Sequence, residues 1–221
     1  MKFKAIIFDM DGTIIDTEHI WDSATAKLIS SKGFEYAGDL KTEINRLNKG
    51  NTLDRCCQNI KNLLNLADDI DDLIKEKTAL AQEMYEKDVN FINGFEKFHE
   101  DTLMHKLSIA LATNAQDDFL QLMKKNFKLE NLFGKHIYNP SHVNNIGKPN
   151  PDLYLYAAKQ INVNPQDCIA IEDSPHGIRA AKSAGMLCIG INSGKNREVL
   201  KEADIIIDEY KELDLANLIK K

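Results

Sequence analysis

No stretch of this chain is apolar for long enough to cross a membrane. The runs ending at Phe8, Ala112 and Ile171 are a few residues each, against the ~20 that a spanning helix needs. Asp9 interrupts the N-terminal run too early for a secretory leader, so none is expected. Positive charge is not in surplus either: 28 Lys and Arg stand against 34 Asp and Glu, a net charge of −6. That balance argues against a nucleic-acid partner, which calls for a basic face. Cysteine is sparse, with Cys56, Cys57, Cys168 and Cys188 and no C-x-x-C pair. Cys168 and Cys188 lie in apolar runs, where a free thiol behaves as a small hydrophobe, and a reducing, cytoplasmic setting is expected. The six histidines (His19, His99, His105, His136, His142, His176) have no metal-binding spacing and read as surface or structural. Only His19 and His176 lie near motifs. Internal repeats and low-complexity segments are missing. What is present, 221 residues at 43% hydrophobic and 28% charged, suits one large soluble domain or a core with a smaller insert.

The most informative segment is Asp9-Met10-Asp11-Gly12-Thr13, directly after Ala5-Ile6-Ile7-Phe8. A short apolar run ending in acids reads as a buried strand delivering carboxylates to a sheet edge. Residues two apart on a strand share a face. If extended geometry persists to Asp11, both carboxylates therefore enter one crevice, and Gly12 allows a sharp turn after them. Paired acids repel unless a cation or a shared proton relieves them. The motif implies a bound metal, an acid/base pair, or both.

Further strands are predicted at Lys4–Phe8, Leu107–Ala112, His136–Tyr138, Cys168–Ile171, Leu187–Ile191 and Asp204–Ile207. Helical patterns run from Asp117 to Phe127, from Pro151 to Ile161 and from Pro175 to Ala184, with Gly185 as a stop. Alternating strands and helices predict an α/β fold, a parallel sheet covered on both faces. Ligands then bind beyond the carboxyl ends of the strands. Residues from about Glu18 to Asp88 break this alternation with three apolar stripes of helical period: Ile20, Ala24, Leu28; Leu53, Cys56, Ile60, Leu64; and Ile70, Leu73, Ile74, Leu80, Ala81, Met84. Asp68-Asp69 and Asp71-Asp72 read as a solvated helix start. The predicted division is a core of residues 1–16 and 91–221 with a helical insert at 17–90. The insert leaves and rejoins the core near the acids, so it is expected to cover the crevice and to hinge at Asp16-Thr17 and Phe91–Gly94.

Four segments carry a resemblance. The stretch FDMDGTIIDT, the strand end Ala112-Thr113-Asn114, the run Gly147-Lys148-Pro149-Asn150-Pro151-Asp152, and Ile169-Ala170-Ile171-Glu172-Asp173-Ser174 are similar, in order and spacing, to the four motifs of the haloacid dehalogenase-like phosphohydrolases. The likeness is to the subgroup with a helical cap after the first motif, which holds sugar-phosphate phosphatases and β-phosphoglucomutase. It implies a Rossmann-like three-layer core, a small phosphorylated metabolite as substrate, Mg²⁺ as cofactor and an aspartyl-phosphate intermediate. Asp9 would be the nucleophile and Asp11 the general acid and then base. Lys148 would pair with Asp9 and the transferring phosphoryl, and Thr113 and Asn114 would hold phosphate oxygens. The metal would take Asp9, the backbone carbonyl of Asp11 and Asp173. Glu172 adjoins Asp173, so the two need not face the same way, and Glu172 is expected to act on the metal through water. The charge supports a cation: Asp9, Asp11, Glu172 and Asp173 with a phosphate dianion make six negatives, which one lysine does not offset. Mg²⁺ suits such all-oxygen sites.

Dehalogenation is disfavoured because Asp11 is present. A mutase is the closer alternative. The mutase carries a cap histidine where this chain has Trp21, and an arginine after K-G-x-S where Leu53 follows Lys49-Gly50-Asn51-Thr52, with Arg55 nearest. Both departures favour hydrolysis. Trp21, Arg46, Lys49 and Asn51 are candidate substrate contacts. A non-catalytic binder of phosphorylated metabolites is the remaining alternative, and a monomer is expected.

Overall fold

The computed structural model describes residues 2–48, 52–85, 89–194 and 196–220. Lys49 and Asn51 lie outside them. The apolar runs form six strands: β1 (Ala5–Phe8), β2 (Ser108–Ala112), β3 (Ile137–Tyr138), β4 (Cys168–Glu172), β5 (Leu187–Ile191) and β6 (Ile205–Ile207). They pair in parallel in the order β3-β2-β1-β4-β5-β6. The chain builds outward from β1 to β3, then returns to lay β4 on the other side of β1. The crevice between β1 and β4 is therefore the switch point at which such Rossmann-like sheets bind ligands. The helices are α1 (Glu18–Ser31), α2 (Gly38–Asn48), α3 (Leu53–Leu64), α4 (Ile70–Tyr85), α5 (Phe95–Met104), α6 (Asp117–Phe127), α7 (Leu129–Phe133), α8 (Asp152–Gln160), α9 (Pro175–Ser183) and α10 (Leu215–Leu218). None in the described residues is long and apolar enough to cross a membrane.

Alternation along the strands sorts small and large side chains to opposite faces. Ala5, Ile7, Ala110, Ala112, Cys168, Ala170 and Cys188 pack on α8 and α9. All of these but Ile7 are small, which lets both helices approach the sheet closely. On the other face Phe8 meets Phe95 and Phe98 of α5 and Phe133 of α7, with ring centroids 5.7, 6.2 and 5.8 Å apart. All four cysteines are buried free thiols.

Two compact units are present, Met1–Asp16 with Asn90–Lys221, and Thr17–Val89. In the first, the outgoing and returning segments pair. The Asp16 N–H donates to Asn90 O at 2.9 Å, the Ile92 N–H to Ile14 O at 2.9 Å, and Ile15 bridges Phe91. The second holds α1 to α4 around Leu28, Ile29, Ile44, Cys57, Ile60 and Leu73. Three of its helices carry the predicted stripes. The fourth, α2, has a single buried residue, Ile44, too few for a visible stripe. Helix α5 is also absent from the sequence pattern, because its buried face mixes Phe95 and Phe98 with His99 and Thr102.

Candidate active site

Register places the acids. Phe8 of β1 lies opposite Leu111 of β2 and Ile171 of β4. Asp9 continues that ladder, its N–H donating to Ile171 O at 3.0 Å. It thus sits level with Ala112 and Glu172, with Thr113 and Asp173 one residue further on. The strand does not persist to Asp11. After the fully buried Met10 the chain turns, with Ile14 and Ile15 both donating to Met10 O and Gly12 at φ +73°. Asp11 still acts on Asp9 through its charge. Burial, together with the charges of Glu172 and Asp11, pushes the Asp9 carboxyl up to about 7 against the pull of Lys148.

Lys148 is the buried cation of this cluster. Its Nζ donates to Asp9 Oδ1 and to Glu172 Oε1, both at 2.5 Å. Burial alone would lower the ammonium's pKa, but the two carboxylates outweigh it and hold the group above the ordinary lysine range. The backbone of Lys148 is clasped by Asn114. The Lys148 N–H donates to Asn114 Oδ1 at 2.9 Å, and Asn114 Nδ2 donates to Lys148 O at 3.1 Å. Gly147 makes room for this clasp, since a Cβ there would lie 2.7 Å from Asn114 Oδ1. Thr113 is buried, and its Oγ1 accepts the Ala115 N–H at 3.0 Å. No acceptor for the hydroxyl proton is seen among the described residues.

Glu172 is fully buried and saturated. Its Oε1 accepts Lys148 Nζ and, at 2.8 Å, the Tyr154 hydroxyl; its Oε2 accepts the Ser174 N–H at 3.3 Å and the Ser174 hydroxyl at 3.1 Å. Tyr154 and Gly177 are additions to the residues the sequence pointed to, and Ser174, at the end of the fourth motif, takes a role that the motif alone did not give it. A Cβ on Gly177 would lie 1.7 Å from Glu172 Oε1. Gly177→Ala should therefore destabilise the protein by about 1–3 kcal/mol through overpacking. Urea unfolding at equilibrium measures this, and an unchanged midpoint would show that the helix start yields easily.

Asp9, Glu172 and Asp173 each offer a carboxylate oxygen within 4.8 Å of the others. Asp173 has no hydrogen-bond or ion-pair partner among the described residues. Burial and the charges of Asp9 and Glu172 hold its carboxyl well above the usual range. Gly12 lets it approach, as a Cβ there would fall 2.2 Å from Asp173 Oδ2. An acid without a partner among the described residues, beside an already shared lysine and within reach of the carboxylate oxygens of Asp9 and Glu172, fits a hard divalent cation. In the helical unit, the Trp21 ring lies 6.2 Å from Tyr85 and 5.9 Å from Nζ of the buried Lys77. Arg46 is held by Glu43 at 2.6 and 2.7 Å.

A family model described as haloacid dehalogenase-like hydrolase matches residues 6–191. A phosphorylated carbohydrates phosphatase of Thermotoga maritima is 28% identical over 198 residues, spanning 87% of this chain and 88% of its own. The β-phosphoglucomutase of Bacillus subtilis is 25% identical over 225 residues, spanning 96% and 92%. A crystal structure of a hydrolase of the same family from Deinococcus radiodurans R1, with bound phosphate and sodium, matches with a TM-score of 0.79 at 27% identity, covering 98% of this chain and 95% of that one.

Proposed function

The chain belongs to the haloacid dehalogenase-like hydrolase family, and from that premise we propose that it is a Mg²⁺-dependent cytoplasmic phosphatase. It acts as a monomer on small phosphomonoesters, sugar phosphates or similar metabolites. The observation that carries this is the ion cluster at the β1–β4 switch point, where one buried ammonium is shared by Asp9 and Glu172 while Asp173, beside them, has no hydrogen-bond or ion-pair partner among the described residues.

Asp9 attacks phosphorus and forms an oxygen–phosphorus bond, while the bond from phosphorus to the leaving oxygen breaks. Asp11 gives its proton to that oxygen. In the second half Asp11 takes a proton from water, whose oxygen displaces Asp9 and releases phosphate. Lys148 offsets charge on Asp9 and the transferring group. The Thr113 hydroxyl and the Asn114 backbone N–H that follows it hold phosphoryl oxygens. Asn114 contributes through the same loop, its side chain fixing Lys148. Asp9, the Asp11 carbonyl and Asp173 would hold Mg²⁺, which supplies the positive charge that Lys148 alone cannot. Glu172 adjoins this set, with all four of its observed contacts made to protein donors.

Hydrolysis is favoured over phosphosugar mutation by Trp21, an indole against Tyr85 where the mutase carries a histidine. A panel of phosphorylated metabolites assayed with Mg²⁺ tests the proposal. Release of inorganic phosphate that stops with EDTA is expected. Mg²⁺ should also raise the thermal midpoint, as any ligand of the native state does, and Asp173→Asn should remove that rise. Turnover that survives complete metal removal would contradict the metal assignment. Efficient conversion of β-glucose 1-phosphate to glucose 6-phosphate would favour the mutase instead.

A further inference from the structure

We propose that Tyr154 is a positioning residue that keeps Glu172 from drawing Lys148 away from Asp9. One ammonium serves two carboxylates at the same distance, 2.5 Å. Asp9 is the carboxylate at which the chemistry proposed above would occur. Glu172 is the competitor and is fully buried, shielded from bulk solvent. A buried carboxylate short of donors pulls hard on whatever cation is nearest.

Three donors other than Lys148 meet that demand: the Tyr154 hydroxyl on Oε1, and the Ser174 N–H and hydroxyl on Oε2. Tyr154 is the one that shares the oxygen used by Lys148. Glu172 cannot swing aside, because the first turn of α9 presses on it at Gly177. Tyr154 is itself locked in the core of α8 and the sheet, entirely buried, with its ring 4.9 Å from Lys148 Nζ. The hydroxyl therefore bears on how Lys148 divides itself between the two acids. Removing it returns demand to Lys148, and the ammonium shifts toward Glu172.

Tyr154→Phe tests this, since it keeps the ring and deletes only the hydroxyl. The kinetic arm rests on the phosphatase function proposed above. With p-nitrophenyl phosphate and Mg²⁺, kcat should fall roughly tenfold, the loss of one hydrogen bond to a charged group. KM should not change, because Tyr154 is not placed to touch substrate. In a Glu172→Gln background, where the competing charge is gone, the same change should cost less than about twofold further. Equal losses in the two backgrounds, or an unchanged kcat, would overturn the proposal. The structural arm needs no activity. A crystal structure of Tyr154→Phe should show Lys148 Nζ beyond hydrogen-bond reach of Asp9, more than about 3.5 Å, and still on Glu172. Both contacts retained would overturn it. If the wild-type protein hydrolyses no phosphomonoester, the phosphatase function fails, while the structural arm still decides what Tyr154 does to Lys148.

Discussion

Replacing Lys148 by alanine should both weaken the fold and nearly silence the enzyme. The side chain is buried and is the observed ion-pair partner of Asp9 and Glu172. Its removal leaves two buried carboxylates facing each other, with Asp173 beside them. Breaking a buried pair by deleting one partner costs about 3–5 kcal/mol, more than the pair itself contributes, because the remaining charge stays desolvated. The loss should be largest in EDTA and partly recovered in Mg²⁺, which brings replacement charge. On turnover, removal of one charge-compensating group costs on the order of 10³. Urea unfolding with and without Mg²⁺, beside kcat on p-nitrophenyl phosphate, reads both effects. A variant as stable as wild type in EDTA would mean that Asp9 and Glu172 are already neutral without Lys148.

Asp9→Asn should have the largest effect on activity, a loss on the order of 10⁴-fold or more, as for removal of other catalytic nucleophiles. The amide keeps the size and removes the negative charge of the proposed nucleophile. Folding should not suffer. Burial already pushes the Asp9 carboxyl up to about 7, so a neutral group there relieves strain among the acids. Loss of turnover with retained or raised thermal stability separates a chemical role from a structural one. Near-normal turnover in the asparagine variant would remove Asp9 from the mechanism.

Much of this was legible in the chain because short apolar strands and their terminal acids are local features. The β1 and β4 runs showed where Asp9, Glu172 and Asp173 would sit, and the parallel α/β order showed that they would share one edge. What stayed hidden depends on partners far away in sequence. Tyr154 falls in the apolar stripe of α8 with Leu153, Ala157 and Ala158, so it reads as core; that its hydroxyl reaches Glu172 at 2.8 Å is a tertiary fact. Asn114 read as a phosphate ligand, and the observed contacts of its side-chain amide clasp Lys148, 34 residues on. Glu172 was separable from Asp173 only by alternation along the strand end. Its four protein donors come from three different segments. Helix α2 is illegible in the sequence for a different reason: with one buried residue it carries little of the period that marks its neighbours.

The central claim is that phosphoryl transfer passes through Asp9. Acid quenching during turnover of a phosphomonoester with Mg²⁺, followed by peptide mass spectrometry, tests it most directly. One phosphoryl group should appear on the peptide holding Asp9, should be lost on brief exposure to alkali as acyl phosphates are, and should be missing from Asp9→Asn and from samples incubated with substrate in EDTA before the acid quench. Steady phosphate release with Asp9 never modified, or a phosphoryl group found on another residue, would contradict it.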